Sequence, residues 1–309
     1  MFELTFLGTA ASTPAKERGL PALLVGAGGD RILVDCGEGT TRQLLRAGAG
    51  LRRLRHVLLT HADLDHVLGL GGLIATLDLV GRHGELAICG SRETVGFVER
   101  YLASLWPQGR PPVPLRFVAL MPGQAIAGGG RRIDCFPVCH RGTTSLGYRF
   151  EATPRRHLLD NRLDALGVPA GPMRAQLAKG EAVVLADGRR IDPESVRGPP
   201  APGASLAVVG DAEETRSLVA AIRGADALVI EATFLEADAA LAAERGHLTA
   251  AQAGRLAADA GIGQLYLTHL SGRYEAAAVA AEARRFFPDV RVMNDLDRVS
   301  VVAVPRVRT

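Results

Sequence analysis

The sequence predicts an α/β fold in which a second half repeats the logic of the first. Short apolar runs such as Val57-Leu58-Leu59, Leu206-Ala207-Val208-Val209 and Ala227-Leu228-Val229-Ile230 have the length of buried strands, and helical patterns separate them. These runs lead into residues that bind metals or move protons, and active groups of α/β folds gather at strand ends. At 309 residues the chain is long for one core, yet it suits a two-sheet sandwich with flanking helices.

Composition sets the outer limits. Apolar residues make up 47% and charged residues 22%, as in an ordinary globular protein. A net charge of +3 does not by itself point to nucleic acid. The clusters Arg52-Arg53-Leu54-Arg55, Arg131-Arg132, Arg155-Arg156 and Arg189-Arg190 read singly as solvated surface. Met1 to Leu7 alternates like a first strand and lacks a leader's charged start. No uninterrupted apolar run reaches spanning length, so no membrane partner is expected. Cys36, Cys89, Cys135 and Cys139 lack paired CxxC spacing, which points to free thiols and a cytoplasmic location.

Taken in order, the first strand enters a small-residue loop, Gly8 to Gly19, that carries Lys16 and Arg18. Loop cations of this kind are candidates to meet a phosphate. Leu23–Val25 and Ile32–Val34 form a hairpin around Gly26 to Asp30. A helix follows from about Thr40 to Ala47. The 57–59 strand comes next, then a helix over Leu73–Leu79, a strand over Leu86–Cys89 and a helix over Ser91–Ser104 with Ser91 as N-cap. Strands near Leu115–Ala119 and Arg132–Phe136 precede a loop that delivers His140, and Leu146 to Phe150 is extended again. From Thr153 to about Gly180 the character changes. Prolines punctuate it, Arg155, Arg156, Arg162, Arg174 and Lys179 give it a positive cast, and few residues suit a core, so we expect an arm inserted into a single domain spanning 1–309. Strands at 206–209, 227–230 and 264–268 lead to Asp211, Glu231 and His269, with an alanine-rich helix over Thr249–Ala260.

The chain is organised around Thr60-His61-Ala62-Asp63-Leu64-Asp65-His66. Two imidazoles and two carboxylates behind a buried strand can aim four donors at two neighbouring metal positions. The expected division is His61, Asp63 and His140 on one divalent ion, Asp65, His66 and His269 on the other, with Asp211 bridging. Paired divalent ions activate water at neutral pH and stabilise charge on phosphoryl or acyl oxygens, so the expected chemistry is hydrolysis. No P-loop, nucleophile elbow or dinucleotide fingerprint competes with it.

The order His-x-Asp-x-Asp-His, His140, Asp211, His269 resembles the metallo-β-lactamase superfamily. Within it, the chain is similar over nearly its whole length to the ribonuclease Z family of tRNA 3′-processing endonucleases. Matching stretches are Asp35-Cys36-Gly37-Glu38-Gly39-Thr40, Ser145-Leu146-Gly147-Tyr148-Arg149, Gly171-Pro172, Glu231-Ala232-Thr233-Phe234, Gly246-His247-Leu248-Thr249 and Thr268-His269-Leu270-Ser271-Gly272-Arg273-Tyr274. The resemblance implies a four-layer αβ/βα sandwich and a two-metal endoribonuclease that removes 3′ trailers from precursor tRNA; the oxygen donor Asp63 suits harder ions, so the expected metal is Zn or Mn. It makes Asp65, Glu231 and His247 the catalytic candidates, the last two as a relay protonating the departing 3′ oxygen. Lys16 and Arg18 would lie near the acceptor end, and Arg273 would touch substrate. The arm with Gly171 and Pro172 would grip the tRNA body from the neighbouring subunit of a homodimer. The chain departs from the family at Asp63 and Ile230, where His is usual, and at Gly19, where Asn is usual. The same site would also serve a phosphodiesterase or arylsulfatase-like hydrolase of small substrates, or persist in a silent RNA-binding subunit.

Overall fold

The computed structural model describes residues 1–304 apart from His83 and Gln108, and the side chain of Arg155 is also outside what is described. The chain divides into two compact units, one made of Met1–Ala152 with everything from Ala204 onward, the other of Thr153–Gly203. In the larger unit, β1 (Phe2–Gly8), β2 (Ala22–Ala27), β3 (Asp30–Val34), β4 (Leu54–Leu58), β5 (Leu86–Gly90) and β6 (Leu115–Ala119) lie side by side in that order. Strands β3 to β6 are parallel, joined through α1 (Thr40–Arg46), the short α2 (Leu64–Val67) with α3 (Leu70–Leu79), and α4 (Arg92–Leu105). Ser91 caps α4 by accepting from the Thr94 N–H, as the sequence predicts.

The second sheet begins with β7 (Ala125–Gly128), β8 (Arg131–His140) and β9 (Thr143–Ala152). After the inserted unit it continues with β14 (Ser205–Val208), β15 (Ala227–Glu231), β16 (Gln264–Thr268) and β17 (Val290–Val292), in the order β17-β16-β15-β14-β9-β8-β7. Helices α8 (Leu218–Ile222), α9 (Ala239–Arg245), α10 (Ala250–Asp259) and α11 (Ala276–Arg284) fall between these strands. The chain then returns to the first sheet as β18 (Arg298–Val301), antiparallel to β1. This is a four-layer α/β sandwich.

Period-two alternation builds the layers. On β15, Ala227 and Val229 enter the core between the sheets, together with Phe2, Phe6, Ile32, Tyr148 and Phe150. Leu228 and Ile230 on the same strand enter a second core with Leu256 of α10 and Val279 of α11. A third core sets Leu33, Val57 and Ile88 against Leu44, Leu73, Ile74 and Leu102 of the first sheet's helices. Parallel strands covered on both faces are apolar throughout, which is why they read as unbroken runs. His140 ends β8 itself; the loop expected to carry it is only the two-residue turn that follows.

The inserted unit holds β10 (Arg155–Leu158), α5 (Asp160–Ala165), α6 (Pro172–Lys179), β11 (Val183–Val184), β12 (Arg190–Ile191), α7 (Pro193–Val196) and β13 (Arg197–Ala201). Contrary to the sequence reading, it has a small core of its own. Leu163, Val168, Leu177, Val183, Ile191 and Val196 are buried together. Much of its positive cast is spent internally. Arg174 bonds Asp160, Asp164 and the Val168 carbonyl, while Arg156 and Arg197 both pair with Glu194. The composition suggested free cations because a count of charges does not say which of them the fold pairs.

The ends of the insertion are tied to each other within the larger unit, since the Ala152 N–H donates to the Ala204 carbonyl at 2.9 Å. Replacing Thr153–Gly203 by a short glycine-containing turn should therefore leave the two-sheet fold intact. We expect cooperative thermal unfolding, with Tm within about 5 °C of the full chain, read by circular dichroism. Loss of cooperative unfolding would show that the larger unit depends on the insertion.

Candidate metal centre

The ligands reach one place because strand ends and close backbone contacts bring them there. Gly37, past β3, and Gly69, past α2, press backbone on backbone. A Cβ on Gly69 would lie 2.1 Å from the Gly37 carbonyl oxygen, and one on Gly37 would lie 2.3 Å from that of Asp65. The Cys36 N–H donates to the His66 carbonyl at 2.8 Å, which closes the contact. Gly210 likewise lets the loop bearing Asp211 approach Thr60. Two ligating or supporting residues, Asp35 and His269, take positive φ (58° and 55°), a conformation that costs about 1–3 kcal/mol and persists only where surroundings impose it.

All seven predicted ligands converge. Asp63 Oδ2 lies 3.7 Å from His61 Nε2 and 3.6 Å from His140 Nε2. Asp65 Oδ2 lies 3.6 Å from His66 Nε2 and 3.5 Å from His269 Nε2. Asp211 offers one oxygen to each trio. Its Oδ2 is 3.7 Å from His61 Nε2, while its Oδ1 is 3.4 Å from His66 Nε2 and 3.2 Å from His269 Nε2. Four donors around a tetrahedral cation stand about 3.3 Å apart, so these spacings suit two neighbouring cations. The Nε2 atoms of His61, His66, His140 and His269, and Asp211 Oδ1, are buried without a hydrogen-bond partner. Five orphaned polar atoms aimed into one space fit the donor set of a divalent metal pair.

The supporting hydrogen bonds settle the tautomers. His140 Nδ1 faces the Gly246 carbonyl at 2.8 Å, and His66 Nδ1 faces Asp35 Oδ2 at 2.8 Å; both must donate. The Thr60 hydroxyl donates to Asp35 Oδ2 and so accepts from His61 Nδ1 at 2.9 Å. With the Thr233 hydroxyl donating to Glu231 Oε2, it accepts from His269 Nδ1 at 2.9 Å. Every Nδ1 is thus protonated and every Nε2 lone pair is free for metal. Asp35, Thr60 and Thr233 were missed as site residues by sequence reasoning. Their signal lay in the quoted stretches: Asp35 in Asp35-Cys36-Gly37, Thr60 at the head of Thr60-His61-Ala62-Asp63, and Thr233 in Glu231-Ala232-Thr233-Phe234.

Electrostatics follow from packing charges close together where most of them are buried. His140 and His61 hold the Asp63 carboxyl well below the usual range. Burial works against ionisation of Asp65, but His269 and His66 bring it down to about 2. Burial disfavours the charged form of His66, yet Asp211 and Asp35 raise it well above an ordinary histidine. His140 is raised in the same way, against burial, by Asp63 and Asp211. His247 meets Glu231 Oε1 at 3.1 Å; burial lowers it, and Glu231 then Asp211 lift it to about 9. Fully buried Glu231 is fixed by the Ala212 N–H at 2.8 Å.

A cleft of about 550 Å³ opens beside these residues, lined by Ser12, Arg18, Arg141, Thr233, His247, Arg245 and Arg273 among others. Its described walls carry four arginines and no carboxylate. Arg18 reaches it, but its guanidinium donates to Thr9, the Met293 carbonyl and Asn294. Lys16 is exposed beside Glu17 and lines a different cleft, with Arg42 and Arg46. Gly171 and Pro172 lie in the inserted unit, where Gly171 (φ 115°) precedes α6 and Pro172 opens it.

Two family models match the chain: the metallo-beta-lactamase superfamily over residues 18–148 and the beta-lactamase superfamily domain over 165–270. The ribonuclease Z of Bradyrhizobium diazoefficiens is 56% identical over 301 residues, covering 97% of this chain and 100% of that protein. The ribonuclease Z of Archaeoglobus fulgidus is 36% identical over 306 residues, covering 97% and 98%. The crystal structure of human tRNase Z, short form, shares the fold with a TM-score of 0.69 at 22% identity, over 97% of this chain and 100% of that one. The fold and site are thus those of a metallo-β-lactamase superfamily hydrolase. Within that superfamily the chain belongs to the ribonuclease Z family.

Neighbouring carboxylates raise the pKa of His66 and of His140, so protons compete with a cation for their Nε2 atoms. Metal affinity should therefore fall as pH drops through their raised pKa values. Calorimetric titration in buffers of different ionisation enthalpy should show net proton release on metal binding, larger at lower pH. Asp35→Asn, which weakens the support of two imidazoles, should lower affinity about 10–100-fold. Proton-neutral uptake and unchanged affinity would contradict this assignment.

Proposed function

We propose that the chain is a metal-dependent endoribonuclease that removes 3′ trailers from precursor tRNA, leaving a 3′-hydroxyl on the tRNA and a 5′-phosphate on the trailer. One observation carries the reading: two ligand trios share Asp211 beside a cleft walled by arginines and free of carboxylates among its described residues. Membership of the ribonuclease Z family supports the substrate.

His61, Asp63 and His140 would hold one cation, Asp65, His66 and His269 the other, with Asp211 between them. Such a pair supplies activated water and offsets charge on a phosphoryl group. The chain's own residues do the rest. With its pKa lifted to about 9, His247 is an imidazolium at neutral pH. Glu231 engages Nδ1, which leaves the Nε2 proton for the departing 3′ oxygen. Glu231 also orients His269 through Thr233, so one carboxylate aligns both acid and ligand. Arg273 lines the cleft and would meet a backbone phosphate, with Arg18 bracing the loop that carries Ser12.

The metals are zinc or manganese, and the extra oxygen donor Asp63 favours the harder ion. The inserted unit binds the tRNA body through its Gly171-Pro172 segment and the exposed Lys179 and Arg190, acting from the partner subunit of a homodimer in the cytoplasm. A tRNA bearing a 3′ trailer, incubated with and without added zinc or manganese, tests the whole reading by the position of the cut.

His247→Ala should lower kcat on such a substrate by about 10²–10⁴-fold with bound metal unchanged. Parallel loss of metal would make His247 a ligand instead of the acid. Deleting Thr153–Gly203 should raise KM for precursor tRNA and flatten its salt dependence, yet spare bis(p-nitrophenyl) phosphate. Equal losses on both substrates would remove the tRNA-binding role.

A further inference from the structure

Asp63 occupies the N-cap position of α2, where an aspartate ordinarily accepts a backbone N–H from the first turn. It makes no such bond. Its Oδ2 is turned instead to His61 and His140, and a third partner meets the same oxygen: Arg141 Nη1, at 3.7 Å.

Arg141 is in an unusual place to supply that contact. With Gly142 it forms the two-residue turn joining β8 to β9, and both take positive φ (47° and 68°). Turns of that kind favour asparagine, aspartate or glycine at the first position, because a longer side chain gains nothing locally to offset the left-handed backbone. The strained backbone is held from outside, since the Arg141 N–H donates to Glu213 Oε2 at 2.8 Å. Room for the side chain is kept by Gly246, where a Cβ would lie 2.5 Å from Arg141 Cγ. An unfavoured residue, a bracing carboxylate and a clearing glycine all serve one cation beside one carboxylate.

We propose that Arg141 is a positioning residue for the first cation site, countering the negative charge that Asp63 adds and holding its Oδ2 toward His61 and His140. The inference rests on the two-cation reading above. Asp63, Asp65 and Asp211 bring three negative charges to the centre. That much negative charge tightens a cation but blunts its pull on water and phosphate. Arg141 draws on Asp63 from the cleft side, so the first cation keeps more of its field.

The test is a double-mutant cycle on the full-length protein, using zinc or manganese alone and bis(p-nitrophenyl) phosphate, so that tRNA recognition plays no part. Arg141→Ala should retain two metals per chain, bind the first about 10-fold more tightly in chelator competition, and hydrolyse the diester about 10-fold more slowly with a higher pH optimum. Arg141→Lys should restore most of both effects, because a point charge suffices. With Asp63→His in place, adding Arg141→Ala should change either quantity less than about 2-fold. Equal effects in both backgrounds would overturn the pairing and leave Arg141 a contact to substrate alone. Loss of metal in Arg141→Ala without rescue by lysine would overturn it in favour of a structural role.

Discussion

Four imidazoles and three carboxylates meet in one mostly buried place, and the rest of the fold answers to that constraint. Each ligand is costly to bury alone. The protein solves the problem one nitrogen at a time. Asp35, the Gly246 carbonyl and the hydroxyls of Thr60 and Thr233 each engage an imidazole directly or through a neighbour, so only the metal-facing atoms stay unpaired. The two sheets therefore meet at their carboxyl edges as well as through the apolar core, with Asp35 and His61 following strands of one sheet and Asp211 and His269 following strands of the other.

Much of this was legible in the sequence, for reasons that can be located. Parallel strands buried on both faces are rich in apolar residues, so β14, β15, β16 and the end of β4 stand out as runs, and the ligands just beyond them are identifiable by type. Less legible were features whose partners lie far away in the chain. Arg156 looks like a free cation until the fold brings Glu194 to it. Nor does Arg18 reveal from its loop that it is committed to Met293 and Asn294. Asp295, which receives Thr9, Gly19 and Gln43, follows an apolar strand too short to register.

The departures from the family pattern acquire distinct physical meanings. Ile230 lies on the helix-facing side of β15, in an apolar core, on the face opposite Val229. Gly19 contributes its backbone N–H to Asp295 at 2.7 Å, which helps hold the loop whose Ser12 N–H donates to Asp65 at 3.0 Å. Asp63 alone changes the charge of the centre.

The pairing of β18 with β1 joins Phe2 to Val301. Synthesis proceeds from the amino end, so β1 is made long before the outer neighbour that pairs with it. The ligands are spaced along the same timeline. His61, Asp63 and His140 are present early, the shared Asp211 later, and His269 follows both. Because the second trio closes only with His269, no fragment that stops short of that residue carries the full donor set, whatever else of the two sheets it contains.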